Sequence, residues 1–268
     1  MVTRRRAMAA GAAGLLLAGC AAPRGVPPAA AAELGSTGKL RAAINYGNPI
    51  LANRGPDGQP HGVSVDLARE AGRRLGLAVE LVTFTSAGNV VEALKTRQVD
   101  LAFVAIDPVR AADMEFTAPY VIIEGAYAVR AGSPLQRNED VDRTGTRVVV
   151  GRGSAYDLFL TRELKQATLV RAPTSPQVVD AFLAQNLDVA AGVRQQLEMD
   201  ARRLGGVRLL PGRFMVIQQA MGVPKGRAAA QAWLSSYIEE MKAGGFVADA
   251  LKRHGIDGAA VAPPGNAT

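Results

Sequence analysis

The 268-residue chain holds one cysteine, and its setting assigns it a chemistry. Leu17-Ala18-Gly19-Cys20 resembles a bacterial lipobox: small residues ahead of the cysteine admit a peptidase, and the Cys20 thiol then takes a lipid. Arg4, Arg5 and Arg6 precede an apolar run, Ala7 to Ala18, too short to span a bilayer, which takes ~20 apolar residues. Residues 1–19 therefore read as an export signal. Thr3-Arg4-Arg5-Arg6 also resembles a twin-arginine start, with Ala7 where a bulky apolar residue is usual, so Sec and twin-arginine export both stay open. With Cys20 lipidated, no thiols are left to pair, and the fold must rest on its core.

A second stretch with chemical potential is Gly151-Arg152-Gly153-Ser154, a tight turn leading into a helix. It lacks the third glycine of a dinucleotide loop, since Tyr156 stands there. Tyr156 also replaces the closing glycine of a serine-hydrolase elbow. His61 and His254 sit far apart in the chain, neither in a metal-ligand spacing. No nucleophile, base and oxyanion site can be named together, so no catalytic residue, metal or cofactor is expected.

The elements that must position these residues alternate. Leu40–Ile44, Val79–Val82 and Leu101–Ala105 read as strands. Val65, Leu67, Ala68, Ala71 and Leu75 recur at helical spacing, with Gly76 as the stop, and a further helix spans about Asn89–Arg97. Asn45 to Pro60 is turn-rich. A second set starts with strand Arg147–Val150 and a helix running from Ser154 to about Lys165. Strand–helix alternation predicts α/β layers with mostly parallel sheets.

There is a faint repeat. Val90-Val91-Glu92-Ala93-Leu94 matches Val178-Val179-Asp180-Ala181-Phe182, and Val99-Asp100-Leu101-Ala102 matches Leu187-Asp188-Val189-Ala190. Two similar lobes follow from this; the alternative is that helix-to-strand units look alike anyway. Ala128–Pro134 and Met215–Pro224 read as two crossings flanking a cleft that closes like a hinge. The expected division is a signal at 1–19, a lipidated, flexible Ala/Pro-rich tether at 20–38, lobe 1 at 39–129 plus 222–257, lobe 2 at 134–215, and a flexible tail at 258–268.

The formal charge is +7, and losing Arg4–Arg6 with the signal leaves +4. That excess is spread along the chain, without the clustered Lys/Arg and aromatics of a nucleic-acid binder.

With these pieces placed, Leu40 to Gly255 resembles the family-3 extracellular solute-binding proteins. The matching stretches are Gly62-Val63-Ser64-Val65-Asp66-Leu67-Ala68, Ala93-Leu94-Lys95 with Val99-Asp100, Phe116-Thr117-Ala118-Pro119-Tyr120, and Val150-Gly151-Arg152-Gly153-Ser154, in the family's order and spacing. The resemblance implies a two-lobed periplasmic-binding-protein fold (type II) with two hinge crossings. It implies a monomeric receptor in the periplasm or cell envelope, held to the membrane by its lipid. That receptor takes a small carboxylate ligand, an amino acid or related acid, and delivers it to an ABC permease. A cyclohexadienyl- or prephenate-type dehydratase, using Glu124 or Asp107 as acid, and a ligand-sensing module are the alternatives on the same fold.

The resemblance also implies site residues. Arg110 takes the place of the family's carboxylate-clamping arginine, and a planar guanidinium suits a carboxylate bidentately. A surface arginine paired with Asp113 or Glu115 is the alternative. Gly153, Ser154 and Ala155 match the turn that offers the same carboxylate N–H groups and a hydroxyl at a helix start; Ser154 is also a plausible N-cap.

Three departures stand out. Gly47 replaces an aromatic in the first loop, leaving Tyr46 and Asn48 as ligand candidates. Phe103, Ala105 and Asp107 replace hydroxyl residues. Val193, followed by Arg194, replaces the aspartate that holds the amino acid's ammonium. A buried ammonium without a carboxylate is costly. Either the ligand lacks an α-ammonium, with Arg194 meeting a second anionic group, or another acid serves, with Glu124 the candidate. Asp66, Asp100 and Asp188 read as structural caps or turn residues.

Overall fold

A computed structural model describes residues 25–265. Cys20, the expected signal and the last three residues lie outside them. The elements in order are α1 (Pro28–Leu34), β1 (Lys39–Asn45), the short pair β2 (Asn53–Arg54) and β3 (Pro60–His61), α2 (Val63–Leu75), β4 (Ala78–Phe84), α3 (Ala87–Lys95), β5 (Leu101–Ala105), β6 (Met114–Phe116) and β7 (Val121–Arg130). Then come β8 (Arg147–Gly151), α4 (Ala155–Glu163), β9 (Thr168–Ala172), α5 (Val178–Ala184), β10 (Val189–Val193), α6 (Arg194–Leu204), β11 (Val207–Leu209) and β12 (Met215–Pro224). Last are α7 (Ala228–Ala243), α8 (Phe246–Arg253) and β13 (Ala260–Val261).

Local sequence accounts for these elements. The apolar run Leu101–Ala105 is buried throughout, as a central strand must be. Val65, Leu67, Ala68, Ala71 and Leu75 form the buried stripe of α2. Gly76, in the left-handed region at φ 68°, turns its N–H back on the last carbonyls and ends that helix.

One mixed sheet runs β4-β1-β5-β12-β7-β10-β8-β9. At one end β1 lies parallel to β4 and β5. At the other, β8 lies parallel to β9 and β10. The antiparallel strands β12 and β7 join the two ends. Each end is an α/β lobe; one apolar core runs from Leu67, Phe103 and Leu234 in the first into Val150 and Leu160 of the second, whose other sheet face packs around Val149, Phe182 and Leu197.

The repeat has a structural counterpart. Asp100, before β5, accepts from the backbone N–H and guanidinium of Arg41 on the neighbouring parallel strand. Asp188, before β10, accepts in the same way from Arg147. Two residues past α3 and past α5, Arg97 and Asn186 both adopt positive φ. Asp100 is fully buried and also receives Arg227 at 3.0 Å, so its role is structural.

Three boundaries differ from the sequence reading. Residues 28–34 are not tether: they form α1, whose Ala30 and Leu34 are buried. Pro28 suits the first helical position and alanine the rest. Glu33 then accepts the Ala230 N–H at 2.7 Å, capping the start of α7. Residues 258–265 are not a loose tail either. β13 pairs with β7, Ala262 is buried, and the Gly265 N–H reaches Glu239. Finally, the chain first passes between lobes inside β7, upstream of the turn at 131–134. Val121 to Gly125 pair with β12, and Gly125 to Ala128 pair with β10. Extended backbone, rather than the Gly132 turn, makes that passage. Among the described residues no helix is long and apolar enough to cross a membrane.

Candidate functional site

The two parallel layers aim loop ends and helix starts at one another across a narrow cleft. From the first lobe come the loop after β1, the start of α3 and the segment after β5. From the second come the Gly151–Ser154 turn, the start of α4 and the β10–α6 junction.

Arg110 lies at the centre and is buried, at 3 % exposure. Its guanidinium donates to the Ala105 carbonyl at 2.8 Å and reaches across to the Gly153 carbonyl of the second lobe at 2.9 Å. It does not pair with Asp113, which takes Lys95 instead. Burial lowers Arg110 to about 10, with Asp107 opposing that shift, so it stays a cation at neutral pH. A cation held mainly by carbonyl dipoles is set to receive an anion.

Both facing helices present their N-termini here. Ser86 caps α3 through the Asn89 N–H, and Ser154 caps α4 through the Asp157 N–H. The two turns meet backbone to backbone: a Cβ on Gly153 would stand 3.1 Å from the Gly88 Cα. Gly153 itself sits at φ +69°, the left-handed region that favours glycine.

The turn differs from the expectation in one respect. The Gly153 N–H is already taken, donating to the Asp157 carboxylate at 2.8 Å, and Asp157 is in turn paired with Arg171. The Ser154 N–H goes to the Gly151 carbonyl. The donors left at this turn are the N–H groups of Ala155 and Tyr156, the first turn of α4, for which no residue offers a helical acceptor. Tyr156, which in the sequence serves only to rule out two glycine motifs, lines the cavity beside Arg110; burial pushes its phenol up to about 12.

The three departures now have physical settings. A Cβ on Gly47 would fall within 2.9 Å of the Ser86 Cα and the Thr85 carbonyl, so an aromatic does not fit there without moving the backbone. Tyr46 packs against the core instead, while Asn48 lines the cavity. Phe103 points into the core edge-on to Tyr120, and Ala105 offers its carbonyl to Arg110. Asp107 accepts Arg162 of the second lobe at 2.9 Å, a bridge across the cleft.

Glu124 and Arg194 stand apart from the rest. Arg194, at the start of α6, donates to Glu124 at 2.8 Å and to the Gly212 carbonyl, and Arg213 holds the second carboxylate oxygen of Glu124 at 2.7 Å. The hydrogen bond from Arg213 chiefly, helped by Arg194, keeps Glu124 below the usual carboxylate range. Neither lines the cavity around Arg110. Asp107 and Glu124, the two acids that a dehydratase reading would use, are thus both committed to arginines.

Around Arg110 the cavity measures about 30 Å³, room for a water or two. The cleft is therefore closed in this structure. Elsewhere, His61 and His254 meet with ring centroids 5.6 Å apart, and His254 lies 2.8 Å from Asp66. Among the described residues no three His, Cys, Asp or Glu side chains are grouped to hold a metal.

Comparison with known proteins agrees with this architecture. The model of the bacterial extracellular solute-binding proteins, family 3, matches residues 40–256. Among solved structures, the solute receptor for L-cysteine of Neisseria gonorrhoeae superposes with a TM-score of 0.74 at 22% identity, covering 84% of this chain and 92% of that one. A mutant of ArgBP from T. maritima gives 0.73 at 21%, covering 84% and 98%. An ancestral amino acid-binding protein, described as a precursor of cyclohexadienyl dehydratase, gives 0.71 at 19%, covering 83% and 98%. At these identities the likeness is one of fold: the two-lobed, type II periplasmic-binding-protein architecture. No curated protein matches the sequence.

Proposed function

Because the chain belongs to the bacterial extracellular solute-binding proteins of family 3, we propose that it is a receptor that traps a small carboxylate-bearing solute between its lobes. One observation carries this reading: the buried Arg110 spans the cleft to the start of α4, where two N–H groups remain to meet an anion. A carboxylate arriving there displaces the Gly153 carbonyl from the guanidinium and gains a charge-assisted contact in its place. It also gains the favourable end of the α4 dipole. These contacts exist only when both lobes surround the ligand, so binding favours the closed form by its differential affinity.

The hinge lies in β7 and β12, and it is the closed face that docks on a membrane permease, whose ATP hydrolysis drives release. Lipidation at Cys20 tethers the receptor on the outer side of the cytoplasmic membrane or within the envelope. The relatives that bind cysteine and arginine support an amino acid or a close relative as cargo. The test is a thermal-shift screen of the purified protein against amino acids, oxo acids and dicarboxylates. A ligand at a hundred times its Kd stabilises by ~2.7 kcal/mol. A rise in melting temperature with one of these acids and not with its carboxyl-free analogue supports the proposal, and none across all three classes refutes it.

A further inference from the structure

Next to the Arg110 cavity lies a second, smaller one of about 10 Å³, sharing Asn48, Tyr156, Ser175 and Val193 as walls. Its far side is polar in a one-sided way. The Asn48 Oδ1, from the first lobe, and the Gln196 Oε1, from α6 of the second, are both buried and without a hydrogen-bond partner. Asn48 is 8 % exposed. Asp200, 5 % exposed, lines the same cavity.

Geometry fixes which atom of Gln196 is unpaired. Its Nε2 donates to the Asp200 Oδ2 at 2.9 Å, and a carboxylate only accepts, so the amide cannot be turned over. Asp200 keeps accepting capacity: its Oδ1 takes Arg203, while Oδ2 holds the single bond from Gln196. Arg203 is itself shared with Asp180, so the three charges leave one negative uncompensated. Among the residues lining the two cavities, Arg110 and Asp200 are the charged ones, one on each side.

Gln196 and Asp200 face inward as acceptors, the Asn48 amide is free to turn its oxygen toward them, and an ammonium has three donors to meet such a set. Resting on the receptor reading above, we propose that Asn48, Gln196 and Asp200 form a subsite for a ligand ammonium set well away from the carboxylate. The spacing follows from α6. Val193, which stands where an α-ammonium would need an acid, is apolar, and Asp200 lies two turns further on, roughly 10 Å along the helix axis. The favoured solute is thus a short-chain acid with a distal amine. Because Asn48 and Gln196 belong to different lobes, the ammonium, like the carboxylate, is fully bound only in the closed form.

Calorimetric titration tests this with ω-amino acids of four to six carbons, against plain monoacids and diacids of the same lengths. The expected result is at least about tenfold tighter binding of one amino acid than of its monoacid and diacid partners. Asp200→Asn and Gln196→Leu, each checked for an unchanged melting curve, should erase that preference while sparing the monoacid. Gln196→Leu leaves the Arg203 pair intact, so it decides the matter if Asp200→Asn folds poorly. A monoacid or diacid that binds as tightly as the amino acid, and is lost in Arg110→Ala, overturns the subsite and keeps the receptor. A preference that survives both variants also overturns the subsite. No binding by any of these acids overturns the subsite alone, since the receptor reading is decided by the separate thermal-shift screen of amino acids, oxo acids and dicarboxylates.

Discussion

Removing Arg162 should open the cleft without touching any residue proposed to hold the ligand. Its guanidinium meets the Asp107 Oδ2 at 2.9 Å across the lobes. The Asp107 side chain is 5 % exposed and that of Arg162 is 37 %. At that distance the bare Coulomb energy is about 6 kcal/mol with an effective dielectric of 20. Much of it is offset by desolvation of Asp107, and solvent screens the half-exposed Arg162. The net cost falls between the ~0–1 kcal/mol of exposed pairs and the ~3–5 kcal/mol of broken buried ones, so about 2 kcal/mol. Asp107 regains water when the lobes part, so this penalty falls on the closed form. Arg162→Ala should therefore shift the equilibrium toward the open form by about thirtyfold and raise the ligand Kd by a similar factor. Spin labels on the two lobes read the distance distribution, and calorimetry reads the Kd. Adding Asp107→Asn should cost little more than Arg162→Ala alone, because the pair is already broken. An unchanged distance distribution with unchanged affinity would refute the latch.

Other consequences follow from the same geometry. Gly153→Ala places a Cβ 3.1 Å from the Gly88 Cα at φ +69°, whereas Gly88→Ala meets Gly153 at an ordinary 3.7 Å. The left-handed strain of the first, ~1–2 kcal/mol, acts on the open and closed forms alike and should lower the melting temperature, while its close approach to Gly88 acts on the closed form and should raise the Kd; the second should leave affinity intact. Asp100 is buried, which alone would raise its pKa, but hydrogen bonds from Arg41 and Arg227 outweigh burial and hold it below the usual range. Its contribution is then present above the unfolded value of about 3.9 and lost as pH falls below it. Urea midpoints should show Asp100→Asn less stable by ~3–5 kcal/mol at neutral pH, with the gap narrowing below about pH 4. A gap constant down to pH 3 would contradict the assignment.

The alternation of strands and helices was legible because periodicity and punctuation agree: the apolar run Leu101–Ala105, the stripe of α2 and the Gly76 stop each bear one meaning. The matched Asp100 and Asp188 were legible as structural, though their arginine partners on β1 and β8 were not, since pairing across parallel strands leaves no local trace. α1 was missed because alanine gives no periodic contrast; just Ala30 and Leu34, one turn apart, face the core. β13 was missed because a two-residue strand next to prolines carries no pattern.

In the cleft, Arg110 stands in a recognisable series of motifs and the fold buries it. Gln196 and Asp200 carry no signal in the sequence, being ordinary polar residues of a helix, and the closing of one lobe on the other is what makes them part of an interior wall. Glu124 was a candidate on sequence proximity to the crossing; the pleat of β7 gives it to Arg194 and Arg213 instead.

The most direct test is calorimetric titration of the wild-type protein and Arg110→Ala with the tightest-binding acid from the thermal-shift screen. Losing a charge-assisted, bidentate contact of ~1.5–3 kcal/mol and leaving the ligand anion unpaired should raise the Kd about ten- to a thousandfold. The fold should persist, since the guanidinium makes its hydrogen bonds to two carbonyls. An Arg110→Ala protein that folds and binds the acid with wild-type affinity would contradict the account.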